Sequence, residues 1–167
     1  MMLETEVNLD ALGAMGPEEL LRYAAETYGD RAAIGTSLQK TGTVMIDMAS
    51  KLGLPLRVFF IDTLLNHDET YELLGEIETR YGITIERFSP DPEQIESLNK
   101  SVGQYAHFLA RPTCCQVRKA APLQKALSTL DVWISGLRAD QSEHRRKEAS
   151  KAGWTHIQKD RLILKLN

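Results

Sequence analysis

Two hydrophobic periods alternate along this chain. Short runs of apolar residues predict β-strands at residues 32–35, 56–61, 83–88, 132–135 and 161–166. Apolar residues spaced three or four positions apart predict helices at residues 42–52 and 68–81, and further helices begin near Pro17 and Pro92. Because strands alternate with helices, the pattern predicts an α/β fold with a mostly parallel sheet covered by helices on both faces.

The predicted helices have recognisable starts and inner faces. In the helix over residues 42–52, one face carries Val44, Met48 and Leu52. Asp68 is placed to cap the next helix, and Asp91 is an N-cap followed by a proline at the first helical position. The highly charged stretch 142–153 predicts a mobile loop over a site.

Composition limits the class of protein. The 167 residues, 43% of them apolar and 26% charged, predict a single globular domain over residues 1–167. A net charge of -3, with no basic stripe interleaved with aromatic residues, argues against nucleic-acid binding. No apolar run reaches the length of a membrane span, and the acidic N-terminus resembles no signal peptide. With only two cysteines, these features predict a cytoplasmic protein.

Polar segments follow three of the predicted strands, at the carboxyl ends where open parallel sheets bind ligands. The first segment, residues 36–43, contains Thr36 and Ser37 and runs into a helix N-terminus. Free N–H groups and the helix dipole at such a position favour a phosphate or a sulfate. The segment lacks the spacing of a P-loop, and a purely structural strand-to-helix turn is the alternative.

The second and third segments carry a carboxylate and arginines. Residues 62–67 begin with Asp62, Thr63 and Leu64. Asp62 is a candidate acceptor for a ribose hydroxyl or a base edge, with loop bracing as an equal alternative. Arg138, and Arg145 further along, are candidates for bidentate contacts to phosphate or sulfate. A solvated charge run is the alternative for the second of these arginines.

The two cysteines are adjacent. Cys114 and Cys115 are followed by Arg118 and Lys119. Neighbouring cysteines form a disulfide only with strain, but two adjacent thiolates can reach two corners of one metal cluster. Basic neighbours favour the thiolate form that metals bind. Two alternatives stay open, namely a pair of small buried hydrophobes in a helix and a zinc site with His107, which the spacing does not support.

Together these segments resemble the adenylyl-sulfate and phosphoadenylyl-sulfate reductase family of sulfate assimilation, from about residue 32 to the end of the chain. The most specific part of the resemblance is the run 114–119, followed by Pro122 and Leu123. Residues 60–63 with 69–71, and residues 136–142 with Arg145, match two further family segments in the same order.

The resemblance implies a Rossmann-like fold of the adenine nucleotide α-hydrolase type, with loop 36–43 around the phosphosulfate. The adjacent cysteines are typical of the iron–sulfur members, which implies a [4Fe-4S] cluster and adenosine 5′-phosphosulfate as substrate. In the family mechanism a cysteine thiolate attacks the sulfate sulfur and displaces AMP, and thioredoxin then releases sulfite. Lys119 matches the family lysine with an electrostatic role at the sulfate, and Arg138 and Arg145 match arginines of the substrate pocket.

The end of the chain departs from the family pattern. The family's second cysteine pair and its nucleophilic cysteine lie in a C-terminal segment that has no counterpart before Asn167. We therefore expect a C-terminally truncated reductase domain that binds nucleotide without turnover, with an absent or incomplete cluster. A reductase for the 3′-phosphorylated substrate, an ATP-dependent sulfurtransferase and a non-catalytic adenine nucleotide-binding domain are the alternatives. The open sheet is compatible with a homo-oligomer.

Overall fold

A computed structural model describes residues 7–137, 150–158 and 161–167. The strands are β1 (Ala32–Thr36), β2 (Arg57–Ile61), β3 (Ile85–Phe88), β4 (Val132–Ile134), β5 (Ala152–Gln158) and β6 (Arg161–Leu166). The α-helices are α1 (Leu9–Ala14), α2 (Pro17–Tyr28), α3 (Lys40–Lys51), α4 (Asp68–Tyr81), α5 (Pro92–Val102), α6 (Ala106–Leu109), α7 (Arg111–Cys115) and α8 (Ala121–Leu127). A 3-10 turn, Gly29–Arg31, precedes β1, and a π-helical segment, Gln116–Ala120, joins α7 to α8.

The six strands have the order β3-β2-β1-β4-β6-β5. β4 pairs parallel with both β1 and β6, through Ile34 opposite Ile134 and Ile134 opposite Leu166. β5 is antiparallel to β6. The predicted α/β class with a mostly parallel, Rossmann-like sheet is therefore confirmed. In the described part of the chain, no helix has the combination of length and apolar character that crossing a bilayer requires.

β5 is an element that the sequence pattern missed. The predicted loop over residues 142–153 overlaps its first two residues, Ala152 and Gly153, so the end of that prediction is wrong. The rest of the predicted loop, residues 142–149, lies outside the described residues. The strand contains a glycine, a threonine and a histidine, and its apolar alternation is too weak to predict a strand without its partner β6.

The predicted helices are present, with two corrections. α4 begins at Asp68 as predicted, but its N-cap is His67. The inner face predicted for α3 is wrong, because Val44 is 54% exposed and the buried residues are Gly42, Ile46 and Ala49. A stripe of smaller residues brings this helix close to β1, which hydrophobicity alone does not predict.

The chain forms two compact units. The first comprises Met1–Val58 with Leu130–Asn167, and the second comprises Phe59–Thr129. The core of the first unit is built on the strands, with fully buried side chains that include Ile34, Ile46, Leu130, Val132, Ile163, Leu164 and Leu166. The continuous apolar runs of these strands are typical of a parallel sheet that is buried on both faces.

The interior of the second unit contains an aromatic pair from its strands and apolar side chains from α4. Phe59 and Phe88 meet edge to face, with ring centroids 6.1 Å apart. Leu74 and Ile77, three positions apart on α4, are buried, as expected for the inner face of an amphipathic helix. Asp91 caps α5 by accepting hydrogen bonds from the N–H groups two and three residues later, at 2.9 Å and 3.3 Å, so the predicted start of this helix is confirmed.

An ion-pair network holds the amino ends of strands in the first unit together. Arg31 donates to both carboxylate oxygens of Asp131, at 2.5 Å and 2.8 Å. Arg161 Nη2 donates to Asp131 Oδ1 at 3.2 Å and to the carbonyl O of Leu130 at 2.6 Å. The hydrogen bonds from Arg31 and the positive charge of both arginines hold the pKa of Asp131 below its usual range. This network lies at the starts of β1, β4 and β6, which is the opposite end from the predicted ligand site.

We expect Asp131→Asn to lower the free energy of unfolding by about 1 kcal/mol at pH 7, because solvent screens this partly exposed pair. A lowered folded-state pKa contributes stability above the ordinary aspartate pKa of about 3.9, and that contribution is lost as the pH falls through the folded-state value. Urea unfolding from pH 7 to pH 2.5 should therefore show the two proteins converging in acid. Glu26→Gln, at an exposed glutamate of α2, is the control. A difference that grows in acid would contradict the prediction.

Candidate functional site

The loop after β1 is braced by the side chain of its first residue. Thr36 is 7% exposed, and its Oγ1 accepts a hydrogen bond from the N–H of Leu38 at 2.9 Å. Leu38 has a left-handed backbone, with φ at +59°, and its side chain is buried. Burial of this leucine offsets the cost of the left-handed conformation. Ser37, between them, is exposed.

The first turn of α3 follows this loop and lacks a side-chain cap. Gln39 is the N-cap residue, and its side chain makes no capping hydrogen bond. Its carbonyl O accepts a hydrogen bond from the N–H of Thr43 at 3.1 Å. The N–H groups before Thr43 in the first turn have no acceptor inside the helix, because no helical carbonyl lies four residues before them. With twelve residues in α3, the dipole at this end favours an anion.

Glycines let the backbone approach this loop closely. A Cβ on Gly42 would lie 2.2 Å from Thr36 Oγ1, so the start of α3 packs directly on the end of β1. Gly136, just after β4, has φ at +58°, and a Cβ there would lie 2.6 Å from Met45 Cε. Close packing requires the glycine at position 42, whereas the positive φ favours a glycine at position 136, since the atom nearest to a Cβ there is the flexible end of Met45.

The loop after β2 is braced in the same way by a carboxylate. Asp62 is 7% exposed, and its Oδ1 accepts hydrogen bonds from the N–H of Leu64 at 3.0 Å, from Asn66 Nδ2 at 3.1 Å and from Tyr71 Oη at 2.8 Å. The N–H of Asp62 donates to the carbonyl O of Phe88 at 3.0 Å. The bracing role that the sequence left as an alternative is thus present in the structure.

Leu64 repeats the backbone conformation of the leucine in the first loop, but not its burial. Its φ is +58°, and its side chain is 51% exposed. The hydrogen bond from Tyr71 to Asp62 raises the pKa of the tyrosine, because the carboxylate stabilises the protonated phenol. Among the residues that the structure describes, the three side-chain hydrogen bonds to Asp62 all fall on Oδ1, so Oδ2 is the oxygen that a ligand hydroxyl could engage.

The adjacent cysteines lie at the end of α7 and face different environments. Cys114 is 6% exposed and belongs to an apolar cluster with Leu98 and Ala106, against which Val102 and Val117 pack. Cys115 is exposed, and both are free thiols. Consecutive helical residues point about 100° apart, since the helix has about 3.6 residues per turn. Cys114 therefore fits the alternative of a small buried hydrophobe, whereas the thiol of Cys115 is accessible to a ligand.

The helix changes its winding directly after the cysteines. In Gln116–Ala120 the winding is π-helical, and the N–H of Ala121 donates to the carbonyl O of Gln116. Single π-turns inside α-helices are rare and occur often at functional sites. Arg118, in this turn, is half-buried and its Nη1 donates to the carbonyl O of Thr63 at 3.0 Å. Lys119, beside it, is exposed.

The two thiols supply only part of the ligand set of an iron–sulfur cluster. A [4Fe-4S] cluster is held by about four cysteine thiolates, whereas this sequence has two cysteines. Within residues 7–137, 150–158 and 161–167, no group of three or more histidine, cysteine, aspartate or glutamate side chains is placed to hold a metal ion. Cys114 also faces an apolar cluster. The residues of this chain do not fit a complete cluster, nor the zinc site with His107.

The predicted site residues divide between the units. Thr36 and Ser37 belong to the first unit, and the second unit contains Asp62, Thr63, Leu64, Cys114, Cys115 and Lys119. Arg138 and Arg145 lie outside the described residues. Within the second unit the structure joins the cysteine-bearing helix to loop 62–67 through Arg118, a contact that sequence spacing did not predict. Asn66 and Tyr71 were also missed as partners of Asp62, because the contacts depend on the tertiary fold.

The chain matches a known protein family and is similar to curated proteins of that family. The family model described as phosphoadenosine phosphosulfate reductase domain matches residues 31–159. Adenosine 5′-phosphosulfate reductase of Pseudomonas aeruginosa (strain LESB58) is 35% identical over 141 residues, which cover 84% of this chain and 52% of that protein. Adenosine 5′-phosphosulfate reductase 2 of Bacillus subtilis (strain 168) is 38% identical over 130 residues, covering 77% of this chain and 54% of that protein. The chain thus spans about half the length of these curated relatives.

A solved structure is also similar. The crystal structure of phosphoadenylyl-sulfate reductase from Candida auris, a phosphate complex, superposes with a TM-score of 0.78. The two sequences are 25% identical, and the match covers 100% of this chain and 80% of that one. The likeness extends over the whole of the fold described above.

Proposed function

Since the chain belongs to the family of phosphoadenosine phosphosulfate reductase domains, we propose that it is the nucleotide-binding part of a sulfonucleotide reductase. Its substrate is adenosine 5′-phosphosulfate, which the intact enzyme reduces to sulfite and AMP with thioredoxin as reductant. Relatives from two bacteria that carry the name adenosine 5′-phosphosulfate reductase support this substrate. The chain by itself binds nucleotide without turnover.

The observation that carries the proposal is the loop between β1 and α3. Its hydroxyls belong to Thr36 and Ser37, and it leads into a helix N-terminus without a side-chain cap. Such a terminus offers N–H donors and a positive dipole end to the phosphosulfate group. The phosphate present in the similar Candida auris structure agrees with an anion-binding role for this fold.

The second unit contains further groups that we propose for contacts with the nucleotide and the sulfate. Asp62, with Oδ2 left over from the bracing of its loop, accepts a hydrogen bond from a hydroxyl of the nucleotide. Thr63 and Leu64 supply backbone contacts in the same loop. Lys119, exposed on the π-helical turn, provides positive charge for the sulfate, and Arg138 and Arg145 are proposed for the same purpose.

The proposed chemistry needs a cysteine thiolate as nucleophile, a role that is not proposed for Cys114 or Cys115. The cysteine thiolate forms a bond to the sulfur of the sulfate group. The bond between the sulfate sulfur and the phosphate oxygen of AMP breaks, and AMP leaves with the electron pair. A thiol of thioredoxin then attacks the S-sulfocysteine, a disulfide forms and sulfite leaves. Attack of one anion on another requires neutralising charge, which is the role of Lys119.

Cys114 and Cys115 are proposed as cluster ligands of the intact enzyme, but two thiols do not make a complete [4Fe-4S] site.

Isothermal titration calorimetry on the chain tests the proposal. We expect AMP and adenosine 5′-phosphosulfate to bind, with no sulfite formed when thioredoxin and its reductant are added. Tighter binding of the 3′-phosphorylated compound would favour the phosphoadenylyl-sulfate alternative, which the similar Candida auris reductase supports. Binding of ATP with release of pyrophosphate would favour a sulfurtransferase. Absence of binding by all four nucleotides would overturn the proposal.

Replacement of Lys119 separates its proposed contact with sulfate from general nucleotide binding. We expect Lys119→Ala to weaken binding of adenosine 5′-phosphosulfate about tenfold, the size of one charged hydrogen bond, because the substitution removes a cation beside the sulfate. Binding of AMP, which has no sulfate, should stay the same. Lys125→Ala, at an exposed lysine of α8, is the matched control. An equal loss for both nucleotides would exclude a specific role at the sulfate.

A further inference from the structure

In the second unit, one peptide group is held at both of its polar atoms. The carbonyl O of Thr63 accepts a hydrogen bond from Arg118 Nη1 at 3.0 Å. The N–H of the same peptide group belongs to Leu64 and donates to Asp62 Oδ1 at 3.0 Å. The peptide between residues 63 and 64 is therefore fixed from two elements, the loop itself and the π-helical turn after the cysteines.

This peptide group needs to be held because the next residue has an unfavourable backbone conformation. Leu64 has φ at +58°, a region that residues with a Cβ rarely adopt. Its side chain is 51% exposed, so burial does little to offset the strain. Leu38 of the first unit has the same conformation, and its N–H likewise donates to the side chain two residues earlier, but its own side chain is only 6% exposed, so packing also holds it. The two hydrogen bonds to this peptide group therefore hold the strained residue in place, in addition to the bonds from Asn66 and Tyr71 that brace the rest of the loop.

We propose that Arg118 is a positioning residue that clamps this peptide group and so prepares the loop for nucleotide binding. This inference rests on the proposed function and adds a specific residue to it. The guanidinium acts through Thr63 and Leu64 rather than on the nucleotide. With the clamp in place, the left-handed residue is retained and the carboxylate of Asp62 keeps its orientation.

The clamp also links the helix that carries the cysteines to loop 62–67, which is proposed to bind the nucleotide. Arg118 lies three residues after Cys115, and the π-turn determines the direction in which its side chain leaves the helix. A shift of this helix would move the guanidinium relative to Thr63. Through Arg118, the backbone of the loop is therefore sensitive to the position of the helix that carries the thiols.

Amide hydrogen exchange in the ligand-free chain tests the clamp independently of any nucleotide. We expect Arg118→Met, which keeps an unbranched side chain of good helix propensity, to speed exchange of the Leu64 amide about tenfold, the effect of losing one charged hydrogen bond. Arg118→Lys keeps a charged donor, so its Leu64 amide should exchange faster than in the parent chain and more slowly than in Arg118→Met. Arg111→Met, at an exposed arginine of α7, should leave this amide unchanged. Exchange unaffected by both Arg118 variants would overturn the clamp.

A double-mutant cycle on AMP affinity distinguishes positioning from direct contact. In the parent chain, Arg118→Met should weaken AMP binding about tenfold, a loss comparable to one charged hydrogen bond. Leu64→Gly removes the strain, since glycine accepts positive φ freely, so the same Arg118 substitution should then cost only about twofold to threefold. An equal loss in both backgrounds would show that Arg118 contacts the nucleotide and would overturn the positioning role. A parent chain that binds no AMP would overturn the proposed function, while amide exchange would still decide on the clamp.

Discussion

Replacing Gly42 with alanine is expected to be among the most damaging single changes to the first unit. The new Cβ would lie 2.2 Å from Thr36 Oγ1 and 3.1 Å from Thr36 Cβ, far inside van der Waals contact. Thr36 is buried and its hydroxyl is held by the N–H of Leu38, so neither side chain nor helix can move away cheaply. Overpacking of this kind costs about 1–3 kcal/mol, and we expect the upper end of that range.

Urea unfolding of Gly42→Ala measures this cost, and the chain offers a matched control. Gly75 lies inside α4, where a Cβ would meet nothing within 4 Å. Gly75→Ala should therefore stabilise the protein by about 0.5–1 kcal/mol, because alanine is the better helix former. Adding Thr36→Ala to Gly42→Ala removes the closest clashing atom and should recover part of the loss. Two glycine variants of equal stability would show that α3 does not pack so closely on β1.

The variant of Gly42 should also weaken nucleotide binding more than its stability loss explains. The clash displaces the first turn of α3 from Thr36, and this turn carries the N–H groups proposed for the phosphosulfate. Calorimetry at a temperature where the variant is fully folded separates the two effects. Normal AMP affinity in a destabilised but folded variant would remove this turn from the proposed site.

The largest expected effect in the second unit is the loss of the carboxylate of Asp62. Oδ1 accepts three hydrogen bonds in a nearly buried position, and Asp62→Ala leaves all three donors without this acceptor. We expect a loss of about 2–4 kcal/mol, less than three full charged hydrogen bonds because water reaches the exposed part of the loop. Asp62→Asn keeps a carbonyl acceptor at the same place, so it should cost clearly less. The free energies of unfolding in urea give the comparison.

The tyrosine that donates to this carboxylate provides an independent measurement. Its hydrogen bond to Asp62 raises the pKa of Tyr71, so Asp62→Ala should move that pKa down towards its usual value. Absorbance of the phenolate at 295 nm follows the titration, and subtracting the signal of the Tyr71→Phe protein isolates this residue. Tyr71→Phe itself removes one of the three donors and should cost about 1–2 kcal/mol. An unchanged tyrosine pKa in Asp62→Ala would show that the carboxylate does not hold this phenol.

Several features of the site follow from local chemistry and were accessible from the sequence. The adjacent cysteines, the hydroxyl-rich turn after β1 and the carboxylate at the end of β2 are all visible as polar groups at the ends of apolar runs. The family resemblance drawn from those segments is confirmed by the match over residues 31–159. The binding role of each residue stays a prediction, as does the single domain over residues 1–167.

What the sequence by itself determined is the order and type of the elements. Apolar period acts within one turn or one strand, and it sufficed for β1, β2 and α4, while the capping residue Asp91 also marked the start of α5. Contacts between distant segments were decided only by the tertiary structure. The buried face of α3 depends on how closely Gly42 approaches Thr36, β5 exists through its pairing with β6, and the contact between Arg118 and Thr63 spans 55 positions in the chain. Packing and hydrogen bonds at that separation leave no periodic trace in the sequence, because they depend on where the folded backbone brings the atoms together.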